Sequence, residues 1–166
     1  MENLNYIEYT LKHRLALKCC IEKYCTTNDK KDLLERAKTH DMDKVIMYLY
    51  MSKKEVNQIH RNSARHHFSN NVKDYSRLDY LEMIFDWECA RYTKEDKPLN
   101  AYDTLYKFYP EHEKEILPLL KELKLDYSSL ECDKEIVEKT INIVMDQEYI
   151  KKEINEYLNL IGIIRV

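Results

Sequence analysis

Apolar residues recur at helical spacing along nearly the whole chain, and strand-like alternation is scarce. A first helix is expected from about Leu4 to Tyr24, with Tyr6, Tyr9, Ala16, Leu17, Cys20 and Tyr24 facing inward. It stops before Thr26-Thr27-Asn28-Asp29, where a cap can start the next helix. Leu33, Leu34, Ala37, Val45 and Tyr48 mark a second helix reaching about Met51, and Ser52 can cap a third that stops at Ser69-Asn70-Asn71. A fourth runs from about Ser76 to Tyr92, before the charged break Lys94-Glu95-Asp96-Lys97-Pro98. Tyr102 to Phe108, stopped by Pro110, and Glu111 to Leu123, kinked at Pro118, read as shorter helices. Asp133 to Met145 and Gln147 to Leu160 complete the pattern. One Gly and three Pro nearly exclude glycine-dependent hairpins, so the fold class is all-α. At 166 residues, one domain spanning 1–166 can bury a proper core.

Some polar residues interrupt the apolar stripes instead of lying opposite them. At about 100° per residue, His40, Asp41 and Lys44 share the stripe of the second helix. A buried carboxylate without a partner costs several kcal/mol, and a divalent metal ion offsets that cost, since imidazole and carboxylate are both good ligands. His13 lies in the middle of the first inward face. On the third helix His60 and His67 are two turns apart, sharing a face with Val56 and Ala64, and His66 lies toward the edge. Asp79, Glu82 and Asp86 form a carboxylate stripe edged by Met83, Cys89 and Ala90. Four helices can thus converge polar residues on one point inside a bundle. Each residue alone has a plainer reading. A single inward His is commonly a hydrogen-bonded core residue, and Asp86 can hold Arg91 or Lys94 in a surface pair worth about 0.2–1 kcal/mol. Asp43 is expected to face away from the ligands, orienting Lys44 or capping locally, and His112 to be solvated.

The order of these residues, a lone His, a His-Asp pair, further histidines and then an Asp, resembles the HD-domain superfamily of metal-dependent phosphohydrolases. His40-Asp41-Met42-Asp43-Lys44 is similar to that family's His-Asp-x-Gly-Lys signature, with Asp43 in place of Gly. His60 and His66-His67 resemble the additional ligands of members that bind two or three metals, among them cyclic-dinucleotide phosphodiesterases. The same ligand order occurs in di-iron oxygenases of this fold. The stretch from Asp86 to Tyr92 also looks like a small bacterial and phage family without an assigned function. The resemblance covers about residues 6–95. The spacing from His40-Asp41 to the later histidines is shorter than in the cyclic-dinucleotide enzymes, and their Gly-Tyr-Pro loop is absent, Gly162 being the one glycine.

The resemblance implies an HD-domain-like helical bundle, with additional C-terminal helices at about 100–166 as a lid, a supporting layer or an oligomer surface. His13, His40, Asp41 and Asp86 would form the basic metal site, with Asp41 able to bridge, and His60, His67 and His66 would complete a second. The cofactor would be one or two divalent ions (Mn, Fe, Co, Zn or Mg) activating water against a small phosphorylated substrate, a nucleotide in particular. Asp41 and Lys44 would be catalytic. Arg61, Arg65 and Arg91 would neutralise phosphate oxygens, or else be solvated helix charges. Two rivals stand beside this: a di-iron oxygenase on the same ligands, and a non-catalytic module binding a nucleotide or a protein.

Composition narrows the setting. A net charge of −3 gives no general electrostatic reason to bind nucleic acid or an anionic membrane. No stretch resembles a signal peptide and no apolar run is long enough to span a bilayer. Cys19, Cys20, Cys25, Cys89 and Cys132 contain no Cys-x-x-Cys pair, which fits reduced thiols in a cytoplasmic protein. Fourteen tyrosines offer stacking surfaces for a base.

Overall fold

The computed structural model describes residues 3–94, 96 and 98–163, and among them it is all-helical, with no strand. The elements are α1 (Leu4–Tyr24), α2 (Lys30–Ala37), α3 (Met42–Met47), α4 (Lys53–Ser63) and α5 (Arg77–Thr93). They are followed by α6 (Ala101–Phe108), a 3-10 turn at Pro110–His112, α7 (Glu113–Glu122), α8 (Lys134–Thr140) and α9 (Gln147–Leu160). The charged break expected at 94–98 falls partly on residues outside those described.

α5 is the central helix. Its buried residues, from Asp79 and Leu81 through Ala90 to Tyr92, lie on every side, as in a helix surrounded by others. α1 packs along it, with α2 and α8 beside α1 and α6 and α7 against the other flank of α5. Serines start two of these helices: Ser52 and Ser76 each form a capping box, with Glu55 and Asp79 respectively.

Two apolar clusters result. One joins Leu17, Cys20 and Ile21 of α1 to Leu33, Ile84, Phe85, Leu105, Ile116, Leu120 and Ile136. The other joins Ile7 and Leu11 of α1 to Met42, Val45, Val56, Ile150 and Ile154. His13 sits on α1 between the two. Tyr9, expected inward, is instead 38% exposed.

The structure corrects two expected helices. The second is two pieces, because Asp41 adopts a left-handed conformation (φ 59°) that no continuing α-helix can contain. The third ends at Ser63, with Ala64 extended, so His66 and His67 lie in the following turn and not on a helical face. Non-local bonds hold that turn. Arg65 Nε and NH2 donate to Asp79 Oδ2 at 3.0 and 2.8 Å. The Tyr75 hydroxyl donates to the His67 carbonyl and accepts from Ser69 N–H, both at 2.8 Å. α8 is also shorter than expected and stops at Thr140. No helix among the described residues is long and apolar enough to cross a membrane.

Candidate metal centre

Buried His, Asp and Glu side chains from α1, the α2–α3 junction, α4 with its following turn, and α5 meet at the seam between the apolar clusters, in groups that could hold a metal ion. They fall into two adjoining sets, Asp41, His60, His66 and His67, and His13, His40 and Asp86, with a third group, His40, His66 and Glu82, overlapping both. The expected grouping of Asp41 with His13, His40 and Asp86 is therefore only approximate. Asp41 Oδ1 stands 3.8 Å from His40 Nε2 but 2.9 Å from His60 Nε2 and 3.2 Å from His66 Nε2.

The imidazoles are held with Nε2 inward. His40 Nδ1–H donates to Glu82 Oε1 at 2.9 Å, and His60 Nδ1–H to Asp43 Oδ2 at 2.7 Å. A carboxylate can only accept, so these bonds place the proton on Nδ1 and leave Nε2 to face the cluster. His13 Nδ1 lies 3.1 Å from the Thr93 hydroxyl, while its Nε2 approaches Asp86 Oδ1 at 2.6 Å. Asp43 thus faces His60 rather than away from the ligands.

What remains inside is a set of candidate ligand atoms in mutual contact. His60 Nε2 and His66 Nε2 are 3.1 Å apart, with Asp41 Oδ1 2.9 and 3.2 Å from them. One proton bridges only one of these contacts. A cation bridges all three: ligand atoms each about 2.0–2.2 Å from a common ion stand roughly 3–3.5 Å apart. His40 Nε2 and His67 Nε2 are buried with no hydrogen-bond partner at all. The residues present fit a metal.

The local field has the same sign. Burial disfavours charge on His40, yet Asp41, Asp86 and Glu82 around it push its pKa up to about 10. Burial raises Asp86, but His13, hydrogen-bonded to it, and the nearby His40 imidazole, 3.5 Å away, outweigh it and hold the carboxyl well below its usual range. Asp41 behaves likewise, with His40, His60, His66 and Lys44 outweighing burial. His67 is the converse: burial lowers it to about 3, so its ring is neutral with a lone pair free. Burial also pushes the Cys89 thiol well up. Cys89 lies 3.6 Å from His13 Nε2, donates to the Asp86 carbonyl, and belongs to none of the candidate ligand groups.

A second ring of charges steadies the first. Arg36 NH1 donates to Glu82 Oε2 at 3.1 Å and to Asp79 Oδ1 at 2.7 Å, and Asp79 also receives Arg65. Lys44 Nζ donates to Asp41 Oδ2 at 2.8 Å. Sequence reasoning placed Glu82 on the carboxylate stripe, one turn before Asp86, without giving it this orienting role. It gave no place to Thr93 or Arg36, which carry no motif.

The arginines expected at phosphate are redistributed. Arg91 is buried with Glu88 at 2.6 Å and donates to the Ser129 carbonyl, on the flank of α5 that carries α6. It ties α5 to the C-terminal part of the fold, with its guanidinium paired to Glu88 and Ser129 and not to the histidine cluster. Arg65 is committed to Asp79 and Asp74. Arg61 is exposed on α4 and close enough to Tyr109 to offset part of the burial that raises the phenol. His112, expected to be solvated, stacks on Phe68 with ring centres 3.6 Å apart. In comparisons with known proteins the chain matches no family model, no curated protein and no solved structure. Fold and site together define an all-α protein with a buried histidine–carboxylate cluster able to hold metal.

Proposed function

We propose that the chain is a divalent-metal phosphohydrolase of the HD-domain kind, acting on a small phosphorylated molecule of the nucleotide class. The observation that carries the reading is the convergence of His60 Nε2, His66 Nε2 and Asp41 Oδ1 at 2.9–3.2 Å from one another. The residue order along the chain, resembling that superfamily, supports it. An imidazole-rich donor set without thiolate suits manganese, iron, cobalt or zinc better than magnesium.

A divalent cation bound there lowers the pKa of a nearby water toward neutrality and offsets phosphate charge. Glu82 and Asp43 keep the imidazoles turned inward, and Asp41 and Asp86 supply the anionic ligands. Burial disfavours the Lys44 ammonium, but Asp41 beside it outweighs that and keeps it charged. Lys44 then stabilises negative charge developing on phosphoryl oxygens. Arg61, exposed and in no ion pair among the described residues, is the arginine left to meet an incoming phosphate.

The test is phosphate release from nucleoside mono- and diphosphates, and nitrophenol release from bis(p-nitrophenyl) phosphate, by tag-free protein loaded with Mn²⁺, Co²⁺ or Fe²⁺. Turnover should require metal, vanish in Asp41→Asn, and fall on the order of 10²–10³-fold in Lys44→Met, the usual loss for one such charge. Dioxygen uptake without hydrolysis, or turnover indifferent to Asp41→Asn, would overturn the proposal.

A further inference from the structure

Resting on the metal reading above, we infer that the cluster is two unequal metal sites filled in order. Asp41, His60, His66 and His67 hold the first ion tightly, and His13, His40 and Asp86 hold a second, exchangeable one.

Asp41 is the first argument. Its Oδ2 is taken by Lys44 at 2.8 Å, which leaves Oδ1 alone to serve the cluster, and that oxygen lies beside His60 and His66. The carboxylate does not span the two sets with one oxygen each. Its charge belongs to the first.

Donor number is the second. Four side chains converge on the first position and three on the other. A four-ligand set closes a tetrahedral ion, whereas a three-ligand set keeps a coordination position for water or substrate.

Preorganisation is the third. Contacts in the first set already have coordination spacing, and a carboxylate, Asp43, fixes His60 from behind at 2.7 Å. In the second set His13 Nε2 and Asp86 Oδ1 are closed to 2.6 Å and must part to admit an ion. His40 of this set is backed by Glu82 at 2.9 Å, as His60 is by Asp43, but behind His13 stands only the neutral Thr93 hydroxyl, a weaker support for ligand basicity than a carboxylate. Each set retains one buried nitrogen without a partner, His67 Nε2 and His40 Nε2, so both are competent for an ion. They differ in affinity.

The experiment is calorimetric titration of chelator-stripped, tag-free full-length protein with Zn²⁺, alongside Asp43→Asn, His60→Gln and His13→Gln, each checked for native helicity by circular dichroism. The unmodified protein should show two classes of site at least about tenfold apart. His13→Gln should keep one tight equivalent and lose the weak one. His60→Gln should lose the tight class. Asp43 is partly exposed, so Asp43→Asn is the variant least exposed to misfolding, and it should weaken the tight class alone by roughly 10–100-fold. Loss of the tight class in His13→Gln, an unchanged tight class in Asp43→Asn, or a single class in the unmodified protein would overturn the ordering. No zinc bound by the unmodified protein would overturn the metal reading itself.

Discussion

Asp79→Asn tests the network that steadies the site. The Asp79 side chain has no exposure and receives Arg36 NH1 at 2.7 Å, Arg65 Nε and NH2 at 3.0 and 2.8 Å, and Ser76 N–H at 2.7 Å. Asparagine keeps the shape but removes the charge, and in either rotation it turns an NH2 group toward a guanidinium. Breaking a buried pair from one side costs about 3–5 kcal/mol. Here Arg36 and Arg65 keep 32% and 45% exposure, so water recovers part of their solvation. The expected cost is therefore about 2–3 kcal/mol, or roughly 4–12 °C in Tm for a chain of this length. Urea denaturation followed by circular dichroism at pH 7 measures it. The pH dependence has a definite sign. Burial alone raises Asp79, but Arg65, Arg36 and Ser76 outweigh it and hold the folded-state pKa below the usual carboxylate range. Its stabilisation is complete above the unfolded value of about 3.9 and is lost as pH falls through the folded value, so the gap between wild type and variant should narrow below about pH 4. A cost under about 0.5 kcal/mol at pH 7 would make this an ordinary surface pair and refute the argument.

Asp41→Gly and Asp41→Ala separate backbone from ligand. Both lose the carboxylate, but only glycine adopts φ 59° freely, so in chelator the Ala variant should be less stable by about 1 kcal/mol in denaturant titration. Equal stability would mean that the left-handed turn relaxes without Asp41. Arg91→Met should destabilise by about 3–5 kcal/mol, since it strands the buried Glu88. Elemental analysis of the folded fraction should find metal per chain unchanged, and a loss of metal would mean that the Arg91–Glu88 pair helps to position the cluster.

Helices with strong local signals were legible. α1 and α9 have the expected bounds, and Ser52 caps α4 as expected. The break after Ala37 was hidden because Leu33, Leu34 and Ala37 fall within one arc of about 120° with Val45 and Tyr48, so periodicity continues across a joint that depends on one dihedral angle. The end of α4 was hidden for another reason. It is set by Arg65 reaching Asp79 and by the Tyr75 hydroxyl, contacts between segments that no local pattern encodes. The seven candidate ligands do come together, because polar residues on apolar stripes must be repaid somewhere. Their partition was not legible, nor were the roles of Glu82 and Asp43, since both depend on side-chain direction. Arg91 misled because a cation near a candidate ligand in sequence need not share its face: five residues on a helix turn it by about 500°, which leaves it some 140° from Asp86.

The two departures from regular helix are what build the site. Adjacent residues on an α-helix diverge by about 100°, so a continuous second helix would send the His40 and Asp41 side chains apart. The left-handed turn at Asp41 sets its Oδ1 within 3.8 Å of His40 Nε2. Likewise His60 and His66, six residues apart, would stand about 120° apart around an unbroken helix and diverge. Their Nε2 atoms meet at 3.1 Å because the chain leaves α4 after Ser63 and doubles back. Each break gives up local hydrogen bonds and brings acceptors together in a dry seam between two apolar clusters. Neither change stabilises an empty fold. On the proposed reading a cation at the convergence would reverse the balance, since ligand convergence would then add metal-binding energy to folding energy. The irregular backbone, the unpartnered nitrogens of His40 and His67, and the orienting carboxylates Glu82 and Asp43 would then share one physical cause.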